Sequence, residues 1–110
     1  MQLLITTQTQ ENYGAHDWDG VGECPQYWKF KGGQDYKYSL GSTLRNADTI
    51  QEIVEYFRPQ IEEDNDYYRN HIIGYQVVAD DYLTEFEQSQ LEYEGRITYP
   101  ATVLAMKETA

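Results

Sequence analysis

The residues with the widest chemical repertoire crowd into one stretch: an imidazole at His16, carboxylates two positions apart at Asp17 and Asp19, and the single thiol of the chain at Cys24. Zinc favours Cys and His ligands, and calcium favours Asp pairs followed by Gly. Neither the paired-cysteine spacing of a zinc site nor a full Asp-x-Asp-x-Asp-Gly calcium loop is present. His16, Asp17, Asp19 and Cys24 therefore stand as an alternative metal- or ligand-binding set. The leading expectation is that Asp17 and Asp19 cap turns while Trp18 anchors the loop in the core.

Nucleophilic attack by Cys24 with His16 as base would need an electropositive setting to lower the thiol pKa, and the composition is acidic instead. Cys24 is expected to behave as a small buried hydrophobe. His71 opens an apolar run and reads as a strand-end residue. No Gly-rich phosphate loop, Gly-x-Ser-x-Gly elbow or His-Glu-x-x-His motif occurs. With 19 acids in the chain, a glycosidase-like carboxylate pair could be drawn almost anywhere and so points nowhere. The expectation is a non-enzymatic protein without a cofactor.

Where the charge lies says more than its total of -11. Between positions 46 and 95 stand thirteen acids (Asp48, Glu52, Glu55, Glu62, Glu63, Asp64, Asp66, Asp80, Asp81, Glu85, Glu87, Glu92 and Glu94) and two bases, Arg58 and Arg69. The remaining residues balance, with six acids against six bases. A solvated helix face usually mixes signs, because like charges at i,i+4 repel by a few tenths of a kcal/mol per pair. Tolerated repulsion suggests a use for the field, set against the ordinary reading that the stripe is only the solvated face of an amphipathic helix. Carboxylates three or four apart on a helix lie roughly 5–6 Å from one another, close to the spacing of successive phosphates on a nucleic-acid strand.

The expected contact set is Asp48, Glu52, Glu55, Glu62, Glu63, Asp64 and Asp66, with Tyr67 and Tyr68 as aromatic anchors. Eleven tyrosines in so short a chain fit an interface, where they supply rigid area with a polar tip. In size, charge and lack of catalytic motifs the chain resembles the small acidic phage-encoded inhibitors of host nucleases and of restriction or CRISPR systems, several of which mimic DNA. The resemblance is one of overall profile and transfers no residue. It implies a partner with a basic surface, such as a nuclease or another DNA-binding protein, and an origin in a phage or mobile element. Nucleic acid itself is not expected as a direct partner, because its binding relies on Lys and Arg to neutralise phosphates. The other readings are a ligand- or metal-binding domain, enzymatic in one version, centred on the His16–Cys24 loop, and a self-assembling structural protein.

These residues need a scaffold, and the pattern predicts an α+β fold: a small, mainly antiparallel sheet with an N-terminal strand, an aromatic β-hairpin, and one or two helices packed on one face. Leu3-Leu4-Ile5-Thr6-Thr7 reads as a strand buried on at least one face. Residues 8–26 read as a long ordered loop. Two aromatic runs, Tyr27–Lys31 and Asp35–Leu40, flank Gly32-Gly33 and predict a hairpin, with Trp28, Phe30, Tyr36 and Tyr38 sharing the aromatic load.

Asp48 or Thr49 is expected to cap a helix whose apolar face is Ile50, Ile53, Val54, Phe57 and Ile61, with a kink or break before Pro59. His71–Ala79 reads as a strand. Thr84 with Glu87 forms a capping box for a second helix that closes at Gly95. Residues 97–106 suit a final strand.

At 110 residues, 40% of them hydrophobic, the chain is expected to form one domain and to bury roughly 65% of its unfolded surface. No apolar stretch approaches the roughly 20 residues of a membrane span. A lone cysteine makes no demand on an oxidising compartment, so a cytoplasmic location is expected, that of the host if the chain is phage-encoded.

Overall fold

A computed structural model describes residues 1–41 and 46–105. The α+β class expected from the sequence is the one observed: a curled mixed sheet of six strands with two helices. The central strand β1 (Gln2–Asn12) is longer than its apolar run. Leu3, Leu4 and Ile5 are all buried, so both faces of the sheet are covered there. Along one edge β1 pairs antiparallel with β5 (Tyr68–Val78) over nearly its whole length, with a bulge between Thr6 and Thr7. The short β4 (Glu63–Asp64) pairs with Asn70 and Arg69 of β5.

The other edge of β1 corrects the hairpin expectation. The two aromatic runs, β2 (Trp28–Gly32) and β3 (Asp35–Ser39), do not pair with each other; they lie end to end along β1. Asn12 to Thr9 face β2, and Thr6 to Gln2 face β3. Gly33 marks the offset, and a Cβ there would collide with the Thr7 carbonyl. Thr7 fills the break by donating its hydroxyl to Gln34 O at 2.9 Å and its backbone NH to the same oxygen at 3.1 Å. The glycine pair thus works as a jog in one long arm. The aromatic residues divide accordingly: Tyr36 and Tyr38 pack against the core, whereas Phe30 is 68% exposed.

Helix α1 (Ala47–Ile61) lays Ile50, Ile53, Val54, Phe57 and Ile61 on Leu3, Ile5 and Leu40. Its cap is Asn46, two residues before Asp48 and three before Thr49, with Oδ1 accepting from Thr49 N at 2.8 Å. Asp48 falls in the first turn, where a carboxylate complements the helix dipole. The expected break at Pro59 does not occur. Pro59 sits in the last turn, where a missing NH costs one bond, and Glu62 N still reaches Arg58 O at 2.8 Å.

Helix α2 (Glu85–Glu94) carries the Thr84–Glu87 capping box and ends at Gly95 with φ +71°. The two helices do not share a face. Tyr36 and Tyr38 point to the α1 core, so Lys37 between them points the other way, where it meets Glu87 of α2. The final strand shrinks to β6 (Thr102–Val103), which runs parallel to β3. Among the described residues no helix is long and apolar enough to cross a membrane.

Candidate functional site

The expected contact set assembles along α1 and the turn that follows it. With the apolar face of α1 buried, Asp48, Glu52 and Glu55 are left on the exposed surface. Arg58 then takes two of the expected carboxylates out of circulation. Its Nε and Nη2 donate to Glu55 Oε2 and Oε1 at 2.9 and 3.0 Å, and Nη1 lies 3.3 Å from Glu62 Oε2. The Arg58 guanidinium holds the Glu55 carboxyl below its ordinary value, against the opposing effect of desolvation. Glu62 Oε2 also accepts from Ile72 N at 2.9 Å, tying the helix end to β5.

Beyond α1, Asp64 lies 3.5 Å from Arg69 Nε and 3.8 Å from His71 Nε2. Asn65 turns the chain by accepting from both Tyr67 N and Tyr68 N at 2.8 Å. Glu63 and Asp66 are exposed, and Tyr67 is exposed beside them. Tyr68 is 40% exposed, and Lys31 of the same chain lies 5.0 Å from its ring centroid. The structure therefore brings Glu62, Glu63, Asp64, Asp66 and Tyr67 together at one turn. It leaves Asp48 and Glu52 toward the start of α1.

The remaining acids of the segment are split by the fold. Asp80 pairs with the N-terminal ammonium at 2.7 Å, and Glu87 pairs with Lys37 at 2.9 Å. Among the described residues no cation pairs with Asp48, Glu52, Glu63, Asp66, Asp81, Glu85, Glu92 or Glu94. Asp48 and Glu52 belong to the helix on one face of the sheet, and Glu85, Glu92 and Glu94 to the helix on the other.

The alternative set around His16 disperses. His16 Nε2 lies 3.3 Å from Glu11 Oε1, Asp19 Oδ1 accepts from Val21 N at 3.0 Å, and Cys24 Sγ lies 3.6 Å from Asn12 Nδ2. Asp19 thus makes the turn expected of it. Trp18 is only partly buried, and its indole donates to Val21 O within the loop. Among the described residues no group of three or more His, Cys, Asp or Glu side chains converges as a metal would require. Burial and the nearby Asp66 carboxylate push the Cys24 thiol up, which works against a thiolate nucleophile.

Three features escape a reading of the sequence. Asn12 is fully buried and acts as a hub: Nδ2 donates to Pro25 O and Asp66 O at 2.9 Å, and Oδ1 accepts from Gly14 N and Tyr27 N at 3.0 and 2.8 Å. Cations cover aromatic rings around it, with Arg69 3.9 Å from the Trp28 ring and Lys29 over both Tyr13 and Tyr27. These residues are far apart in sequence, and only the Tyr27–Lys31 composition hints at them.

The third feature is a cleft of about 210 Å³ between Asp35 and the start of α2. Burial, aided by Glu87 and Glu85, pushes the Asp35 carboxyl up. Burial alone would raise Glu87 as well, but the Thr84 NH, the Lys37 ammonium and the Ala101 NH hold it below its ordinary range. Both Glu87 oxygens are occupied by these donors, so its role is structural. Comparison with protein-family models, curated proteins and solved structures finds no match for this chain.

Proposed function

We propose that this chain is a small, non-catalytic binding protein whose acidic surface occupies a basic groove on a nucleic-acid-handling partner, as a DNA mimic does. One observation carries the reading. Arg58 is held by Glu55 and Glu62, Arg69 is shared between Asp64 and the Trp28 ring, and eight of the thirteen carboxylates have no cationic partner among the described residues. Unpaired surface carboxylates at helical spacing create a field that a basic groove would neutralise. Asp48 and Glu52 on α1, with Glu63 and Asp66 at the following turn, are the primary contacts. Glu55, Glu62 and Asp64 join by exchanging or sharing their internal partners, and Tyr67 supplies the exposed ring.

The test is capture from bacterial lysate by the wild type and by an Asp48→Lys, Glu52→Lys, Glu63→Lys variant, chosen because none of the three carboxylates holds a cation of its own chain. The expected result is a basic DNA-handling protein taken by the wild type alone. It should be released as salt rises from about 0.1 M to about 1 M, where the screening length falls from about 10 Å to about 3 Å. Equal capture by both proteins, or capture indifferent to salt, would refute the reading.

A further inference from the structure

Among the described residues the outer edge of β5 has no partner strand beyond Asn70, although the Ile72 NH is taken by the Glu62 carboxylate at 2.9 Å. β4 covers only Arg69 and Asn70, and among the described residues no strand pairs with that edge from His71 to Val78. Ile72-Ile73-Gly74-Tyr75-Gln76-Val77-Val78 contains no charge and no proline, although charged side chains and proline are the usual guards of an edge strand. Ile73, Tyr75 and Val77 are 62%, 38% and 41% exposed. Beside them runs a groove of about 270 Å³ lined by Ala47 and Ile50 of α1 and by Tyr75, Gln76 and Val77 of β5. Tyr75 is fixed in place by its hydroxyl, which donates to Gln51 Oε1 at 2.9 Å.

Carboxylates without a cation among the described residues flank this neutral strip: Glu63 in β4 at one end, Asp81 beyond Val78 at the other, and Asp48 next to the groove residue Ala47, whereas Glu62 and Asp80 are paired with Arg58 and the N-terminal ammonium. We infer that the β5 edge receives an extended segment of the partner as an added strand, one with alternating apolar residues at its centre and Lys or Arg at its ends. Main-chain hydrogen bonds would supply affinity, an apolar side chain would enter the groove, and the flanking carboxylates would select for basic ends. A second copy of the chain fits poorly. Each copy carries a net charge of -11, so pairing β5 with itself would bring two strongly acidic molecules into contact.

This inference rests on the reading of a basic partner, and its test separates the two. The probe is a labelled synthetic peptide of alternating valine and threonine with lysines at both ends. Beside it run a glutamate-ended counterpart and a version N-methylated at alternate backbone nitrogens, all titrated against the full chain by fluorescence anisotropy. The lysine-ended peptide is expected to bind, and the other two to bind about tenfold or more weakly. Ile73→Lys and Val77→Lys, both at exposed positions, should weaken it by a similar factor with an unchanged thermal midpoint.

Lysine-ended binding that survives N-methylation and both substitutions would overturn the added strand while leaving the acidic surface in force. Equal binding of the lysine- and glutamate-ended peptides would remove the basic partner itself. A salt-stable dimer of the wild type, seen by sedimentation and dissolved by Val77→Lys, would assign the edge to a second copy and overturn the proposal, as would the absence of any peptide binding. The N-methylated peptide keeps the test decisive if a variant fails to fold.

Discussion

Lys37 Nζ lies 2.9 Å from Glu87 Oε1 with 12% and 4% of the two side chains exposed, and this pair fastens α2 to the sheet face opposite α1. Lys37 also donates to Tyr82 O at 2.9 Å, while Glu87 closes the capping box of its own helix. Removing one member strands a nearly buried charge. Lys37→Ala is expected to cost about 3 kcal/mol, the low end for a broken buried pair, because Thr84 N and Ala101 N still serve Glu87. Urea unfolding measures it.

Acid should shrink that difference. The folded Glu87 pKa lies below its ordinary value of 4.5, so its contribution is complete above that value and fades as pH falls through the lower, folded one. The gap between wild type and Lys37→Ala should therefore be constant near neutrality and narrow only under acid. A gap that closed near pH 7 would contradict the assignment.

Asn12 satisfies four backbone groups from three chain segments at a fully buried position, using both the donor and the acceptor end of its carboxamide. Asn12→Ala leaves those groups partly orphaned and is expected to cost about 3 kcal/mol. Asn12→Asp, which cannot donate when ionised, should cost about as much. Hydrogen exchange is the sharper measurement: residues 13–27 should lose protection in either variant while α1 keeps its own.

Gly33 stands where β2 gives way to β3, and the atom a side chain would strike is the backbone carbonyl of Thr7. A backbone atom in the central strand cannot swing aside. Gly33→Ala is expected to lower stability by about 1–3 kcal/mol, as overpacking does. Gly74, whose added Cβ meets nothing, should tolerate alanine far better, and thermal melts of the two variants compare them directly.

Arg58 is an internal competitor for the acidic surface. Arg58→Gln should change stability by less than about 1 kcal/mol, because the pair is partly exposed and screened. It frees Glu55 and Glu62, so affinity for a basic partner should rise in low salt and match the wild type in high salt. An unchanged affinity would remove Glu55 and Glu62 from the contact set.

The candidate surface was partly legible in the chain. The apolar spacing of α1 named all five of its buried residues, and the Thr84–Glu87 box with Gly95 placed α2, since both signals are local and repeat every turn. Asp48 and Glu52 follow from the same periodicity. The cancellation of Glu55 and Glu62 by Arg58 was harder to see, because spacing shows that charges are neighbours without showing which pairs close. Lys31 over Tyr68 and Arg69 over Trp28 join residues about forty apart, beyond any local pattern.

The sequence by itself determined the elements and the imbalance of charge: hydrophobic periodicity marks what must be buried, and composition sets net charge whatever the fold. The tertiary structure decided which elements meet. A glycine pair between aromatic runs permits a tight turn or a jog, and the long β1, available to both runs at once, selects the jog. Strand alternation sends Lys37 away from Tyr36 and Tyr38, so α2 follows Glu87 to the opposite face and divides the acids between two surfaces. The open edge of β5 exists for the same reason: an edge is defined by the strand that is missing beside it, and only pairing in three dimensions determines that.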